Sequence, residues 1–437
     1  MTAPARSRTP AGSPLRRRDF RLLWIGQTTS TLGSMISVVA LPLVAVSSLH
    51  ASTLQVSALP AASWLPWLLV GLPAGAWVDR LPRRPVMITC DVISLLLFLS
   101  VPVAAWYGAL TMAHLLAVAF LGGVSTVFFQ TAYNAYLPVI LPPEELTAGN
   151  AMLMGSESAA YVGGPGLAGL IAQAFTAVAG LLADAASFLV SAICLLRIGA
   201  RETREPRARP RDGLRREIAE GLRFVARDPY LRVLTVSGAA ANLALNGYQA
   251  LLVVFLLRVV EIGPGAAGLV VAGMSLGGLA GAAVAARFAR RVGTARAMVL
   301  CQLGGMPFGL LIPLTGPGWG LAFAVAGGVV LSAAITVGNV VKGAFRQAYV
   351  PGHLLGRVLV SMQFLNYGAI PVGALLGGAL GGAIGVRTTL WVMMAALVPS
   401  TLILLIGPMA RRRDLPERAP EPEIFEDSPE DRAGKAP

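Results

Sequence analysis

The chain has 437 residues, 55% hydrophobic and 13% charged, with a formal net charge of +13. That balance excludes an ordinary soluble globular protein of this length. Its three cysteines, Cys90, Cys194 and Cys301, fall in apolar stretches, against a disulfide framework or metal site, and its arginines flank apolar runs, a pattern suited to anionic lipid rather than nucleic acid.

In chain order, Arg16, Arg17 and Arg18 precede an apolar run from Leu22 to Val46. It is too long for a signal-peptide core and ends in no small-residue cleavage site, so it reads as a retained helix. Twelve stretches of roughly 20 mostly apolar residues follow one another, each able to cross about 30 Å of hydrocarbon. They are predicted at 22–46, 54–78, 86–107, 111–137, 152–173, 178–197, 233–257, 266–288, 297–314, 319–341, 358–381 and 388–409. With the N-terminus inside, only Arg258 and Arg387 of the 35 Lys and Arg residues fall in outer loops. Basic residues collect in cytoplasmic loops, so both termini are expected in the cytoplasm of a multi-pass cell-membrane protein.

The organisation expected is a cytoplasmic N-terminal segment 1–21, a six-helix bundle 22–197, a linker 198–232, a second six-helix bundle 233–409 and a disordered tail 410–437. Within the linker, 212–227 predicts an amphipathic helix with Leu214, Ile218, Leu222 and Phe224 on its apolar side. The halves match at offsets of 206 to 209 residues: Arg18-Asp19 with Arg227-Asp228, Arg80, Arg83 and Arg84 with Arg287, Arg290 and Arg291, Tyr161 and Pro165 with Tyr367 and Pro371. Repeated halves suit a transporter that rocks one half against the other around a central site.

The loop after the second span reads Gly75-Ala-Trp-Val-Asp79-Arg80-Leu-Pro82-Arg83-Arg84. A carboxylate ending a helix can meet the positive N-terminus of a neighbour, and arginines can pair with carboxylates or helix C-termini. The loop resembles the cytoplasmic signature of the major facilitator superfamily, with Pro82 where glycine is usual. The resemblance implies twelve transmembrane helices in two pseudo-symmetric bundles and a latch from Asp79 to the eleventh helix that favours the state closed to the cytoplasm. The second-half copy has Ala286 in place of Asp79. In the fifth span, Gly164, Pro165 and Gly169 resemble the glycine-proline kink of the superfamily's exporters, where proline bends a helix and glycine admits a neighbour. The stretches 20–33, 135–152 and 183–198 are similar to the drug:proton antiporter branch that includes macrolide-efflux proteins and an enterobactin exporter.

Charged groups inside a membrane are functional candidates because they are expensive there. Glu157 and Asp184 are the proton-coupling candidates; for Asp184, fixing helix packing is the alternative. Asp91 reads as an inner-surface contact and His114 as interfacial. The fourth span carries Val124-Ser-Thr-Val-Phe-Phe129 and lacks the arginine signature of many proton antiporters. Polar stripes at spacings of 3 and 4 mark single helix faces: Gln27, Ser30, Ser34 and Ser37; Gln130 and Asn134; Asn242, Asn246 and Gln249; Ser332, Thr336 and Asn339. The resemblance places helices one, four, seven and ten around the substrate cavity, with Tyr133, Gln363 and Asn366 as further candidates. Gln363 is the neutral counterpart of Glu157.

No GxxxxGK[ST] loop, HExxH or nucleophile elbow occurs. The reading is therefore a secondary active transporter, not an enzyme, without cofactor or metal. It exports a small, largely apolar compound by alternating access in exchange for protons, as a monomer in contact with membrane lipid. A nutrient importer or lipid flippase of the same fold, or a membrane sensor, is the alternative.

Overall fold

A computed structural model of the chain describes residues 13–78, 80–200, 202, 214–406, 409 and 412–416, with no account of the side chains of Leu72, Ala76, 214–219 and His353. The expected N-terminal segment falls partly, and the tail and the arginine-rich part of the linker mostly, outside these residues.

The described chain is helical, with no strand among the described residues. The helices of the first half are α1 (Arg18–Ser47), α2 (Thr53–Leu69), α3 (Gly71–Val78), α4 (Arg83–Trp106), α5 (Met112–Ile140), α6 (Pro143–Ala174) and α7 (Ala177–Arg197). After the linker helix α8 (Leu214–Arg227) come α9 (Pro229–Val254), α10 (Pro264–Val292), α11 (Thr294–Leu300), α12 (Leu321–Tyr349), α13 (Gly352–Ile384), α14 (Val386–Ala395) and α15 (Leu397–Ile406). Among the described residues ten helical stretches are long and apolar enough to cross a membrane. Two more complete the twelve predicted crossings: α2 with α3, and α6, which carries Glu144, Glu145 and Glu157.

Proline positions explain the interruptions. Pro73 and Pro399 lack the N–H that would bond the carbonyls of Leu69 and Ala395, and the helix breaks after those residues. Pro307 and Pro313 stand where the ninth crossing leaves α11, passes a π turn at Cys301–Gly305 and tightens into a 3-10 segment at Met306–Leu314. Starts are capped by side chains: Ser52, Thr111, Thr176 and Asp228 accept first-turn N–H groups of α2, α5, α7 and α9.

In the first half α1 packs on α6 and α7, α4 on α5 and α7, and α2 on α5. The second half repeats the scheme, with α9 on α13 and α15, α10 on α12, and the 3-10 segment on α12. The halves meet along two seams, α6 against α10 and α2 against α13. Each seam is the other's counterpart in the repeat. The linker helix docks on α13: Val225 is buried there, whereas Leu222 and Phe224, expected on the apolar side, are half-buried.

One end of the bundle carries the starts of α1, α4, α6, α9 and α13 with their arginines; this is the basic end. The opposite end carries the short turns at 48–52, 107–111, 175–176 and 315–317.

Candidate functional site

At the opposite end the halves are closed against each other. Val253 and Val254 of α9 join the apolar core formed by Ile36, Val44 and Leu59 of α1 and α2. Ala61, Ala250 and Ala374 form a second contact between α2, α9 and α13. The kink motif builds one seam. A Cβ on Gly169 would come within 2.7 Å of the Gly268 Cα and the Pro264 carbonyl of α10, so the two backbones touch there. Gly164 faces Met35 and Ile36 of α1 instead, tying the kink to its own half. At the mirrored seam a Cβ on Gly378 of α13 would lie 2.6 Å from the Ser57 Cβ of α2. Arg258 adds a clasp between halves, its Nη2 donating to the Ala51 carbonyl at 2.8 Å. Arg258→Ala is expected to raise the reactivity of a cysteine at Ala250 toward an impermeant maleimide by about 2- to 5-fold, the equivalent of about 0.5–1 kcal/mol. Unchanged labelling would assign the seal to packing alone.

Toward the basic end the helices part around a cavity of about 380 Å³. Its wall comes from α9 (Leu234, Asn242, Leu245), the ninth crossing (Gln302, Met306), α12 (Asn339, Lys342, Arg346) and α13 (Met362, Gln363, Asn366, Tyr367). Asn339 and Gln363 are exposed. Asn242 Nδ2 donates to both the main-chain carbonyl and Oδ1 of Asn366 at 3.3 Å, and Asn366 Nδ2 donates to the Met362 carbonyl at 2.8 Å. This network fixes the polar side of α9 against α13. Above it, Trp64 and Trp67 of α2 stand edge-on to Tyr367, with centroids at 5.3 and 5.6 Å. An aromatic cluster thus meets the cavity where the halves converge.

The predicted cavity residues divide. Asn242, Asn339, Gln363 and Asn366 line the cavity. Asn246 bonds the Asn242 carbonyl at 2.9 Å and Gln249 is exposed; neither borders it. Ser332 donates to the Met274 carbonyl of α10 and so serves helix packing. Among the described residues none of the first half lines this cavity. Gln27 donates to Thr31 at 3.3 Å and keeps a buried, unpartnered Oε1, and Ser30 is buried in the bundle. Gln130 is half-buried, Asn134 is exposed and Tyr133 stacks on Phe129 at 6.2 Å. Glu157 is exposed on α6, within electrostatic reach of Tyr133 and Tyr161.

Asp184 is fully buried. The Ser37 hydroxyl of α1 donates to its Oδ2 at 2.5 Å and the Ser187 hydroxyl to its Oδ1 at 3.1 Å. Gly33 leaves the room, since a Cβ there would overlap both Asp184 and Ser187. The carboxyl therefore sits between α1 and α7, away from the cavity. Asp91, expected at the inner surface, is buried on α4 with an unpartnered Oδ2, and His114 Nε2 lies 2.8 Å from Ser100 Oγ.

A sequence profile for transmembrane secretion effectors matches residues 9–432. The chain belongs to that family, within the major facilitator superfamily. It is 29% identical to the multidrug efflux pump Tap of Mycolicibacterium fortuitum over 92% of this chain and 98% of that one. It is 26% identical to macrolide efflux protein A of Streptococcus pyogenes over 50% and 54% of the two chains. Among solved structures, a bacterial homologue of the iron transporter ferroportin in its inward-facing state covers 90% of this chain and 99% of its own, with TM-score 0.71 and 19% identity. The outward-facing form of such a homologue, at the same coverage and identity, gives 0.56. The fold is that of a multi-pass membrane transporter.

Arg83 and Arg84 of the signature loop bond to their own half. Arg84 donates from Nε to the Leu195 carbonyl at 2.8 Å and from Nη2 to the Leu196 carbonyl at 2.6 Å, at the C-terminus of α7. Glu202 accepts the Arg83 and Arg84 N–H groups at 3.1 and 2.9 Å, capping α4. Arg83 itself is half-buried, Arg80 exposed and Gly75 half-buried, while Asp79 lies outside the described residues.

Lys342 and Arg346 lie just beyond the tenth span predicted at 319–341. The helix instead continues to Tyr349. The signal was present: Asn339, Lys342 and Arg346 extend the spacing of Ser332 and Thr336, with no proline until Pro351. Gln302 and Met306 carried no signal, since the π turn that presents them has no sequence mark.

Proposed function

We propose that the chain is a secondary active exporter of small, largely apolar compounds, working by alternating access in exchange for protons. Both termini and the basic end lie in the cytoplasm of the cell membrane, and the protein acts as a monomer. Residues 22–197 and 233–409 are the two moving halves, joined by the linker 198–232. The observation that carries the reading is the cavity at the basic end combined with closed seams at the opposite end. A pump loads cargo from the cytoplasm in such a state. Efflux as the direction is supported by the names of its relatives in the same family. When the basic end closes, Asp79 meets α13 and the signature loop becomes the latch.

Energy must come from an ion gradient, as no nucleotide-binding loop exists in the sequence. Glu157 is the coupling group favoured by position, because it is exposed on α6, a helix of the seam between the halves, whereas Asp184 is sealed within one half. In a pump-deficient host, expression of the wild-type chain is expected to raise the tolerated concentration of at least one lipophilic antibiotic by 4-fold or more. Glu157→Gln should abolish efflux driven by an imposed pH gradient in vesicles while substrate binding survives. Efflux in that variant equal to wild type removes Glu157 from coupling; no change in susceptibility across a broad panel removes drug export.

A further inference from the structure

We propose that the cavity binds amphipathic anions, with Lys342 and Arg346 holding the anionic group. The proposal deepens the export reading by naming the chemical class of the cargo. Both residues project from α12 into the cavity, one helical turn apart. At that spacing two like charges on a helix repel each other. Neither has an ion-pair partner among the described residues, and the Arg346 Nε is buried without a hydrogen bond. Among the described residues no Asp or Glu lines the cavity. A cation withdrawn from water without a counter-charge is costly, and a carboxylate or phosphate between the two would relieve both the desolvation and the repulsion.

The surroundings suit an amphiphile. Gln302, 5% exposed, lines the same space with an unpartnered Oε1 able to accept from a cargo hydroxyl or amide. Leu245, Met306 and Met362 supply an apolar wall, and methionine adapts to varied shapes. Tyr367 lies within electrostatic reach of Arg346 and leads to Trp64 and Trp67. The charge belongs to one half only. At an offset of 208 residues Lys342 and Arg346 correspond to Asn134 and Pro138. Setting membrane topology would explain basic residues anywhere at this end; it does not require them to face a cavity.

The test titrates the full-length protein in phosphatidylcholine nanodiscs with three matched probes: 1-pyrenebutyrate, 1-pyrenebutanol and 1-pyrenebutyl-trimethylammonium. Pyrenebutyrate is expected to bind at least 10-fold tighter than the alcohol, and the ammonium weakest. K342Q/R346Q should erase that preference while alcohol affinity stays within 2-fold, and K342R/R346K should keep it. Including phosphatidylglycerol identifies the source of the anion. Weaker pyrenebutyrate binding in the wild type but not in K342Q/R346Q means that a lipid headgroup competes for the site. No effect means that it takes free anions. The proposal is overturned if the alcohol or ammonium binds as tightly as the carboxylate, if no probe binds, or if the preference survives in a monodisperse K342Q/R346Q protein. Anion preference without efflux from cells would remove export and leave the site standing.

Discussion

Gly169→Ala is expected to open the seal at the opposite end and to lower efflux at least 5-fold. The added methyl meets backbone, the Gly268 Cα and the Pro264 carbonyl at 2.7 Å, and backbone cannot swing aside as a flexible side chain can. Either α6 and α10 separate or one of them bends. Overpacking of this kind costs about 1–3 kcal/mol, and a bias of that size changes a two-state ratio by about 5- to 150-fold. The cost falls on the state with the seam closed, so the balance moves toward opening at that end. The reporter is a cysteine at Ala250, now 7% exposed among Ala61 and Ala374. Its labelling by an impermeant maleimide from the outer face should rise at least 5-fold. Gly155→Ala, where nothing lies within 4 Å of the new Cβ, is the matched control. Wild-type labelling and efflux in Gly169→Ala would mean that the seam does not govern the equilibrium.

Asp184→Ala should be the most destabilising change in the first half. It strips the acceptor from the Ser37 hydroxyl in a place no water reaches, while the Ser187 hydroxyl keeps the main-chain carbonyl of residue 184 at 2.7 Å. A buried donor left without a partner costs about 1–3 kcal/mol, and the lost side chain leaves a void between α1 and α7. Purified in detergent, the variant should unfold several degrees below wild type. Ser37→Ala in the same background should recover part of that loss, because it removes the orphaned donor. A stable Asp184→Ala protein that has lost pH-driven efflux would instead make this carboxyl a coupling group, with Glu157 secondary.

Much of the fold was legible because a membrane leaves the backbone few options. Each crossing must satisfy its own hydrogen bonds, so apolar length, proline placement and capping residues fix helices without knowledge of their neighbours. The arginine asymmetry and the 206- to 209-residue repeat then order twelve such segments into matching halves. Periodicity also marks the helix face on which a polar residue lies. It does not say what covers that face. Ser37 and Gln27 belong to one stripe in the sequence, yet Ser37 is spent on Asp184, 147 positions away, and Gln27 bonds Thr31. Ser332 and Asn339 likewise share a stripe, but α10 takes the first and the cavity keeps the second.

Only the tertiary structure decided these outcomes, since each depends on how closely a distant helix approaches. Gly169 reads as part of a kink motif from its neighbours in sequence. Its contact is Gly268, and what matters is backbone meeting backbone across the seam between the halves. The same holds for the cations of α12. Their charge and spacing were visible, but not that α9, α13 and the ninth crossing leave a cavity beside them. Sequence determined the membrane fold, its repeat and the family. Tertiary packing chose which polar groups are structural and which face the cavity, because burial there is set by contacts between helices far apart in the chain.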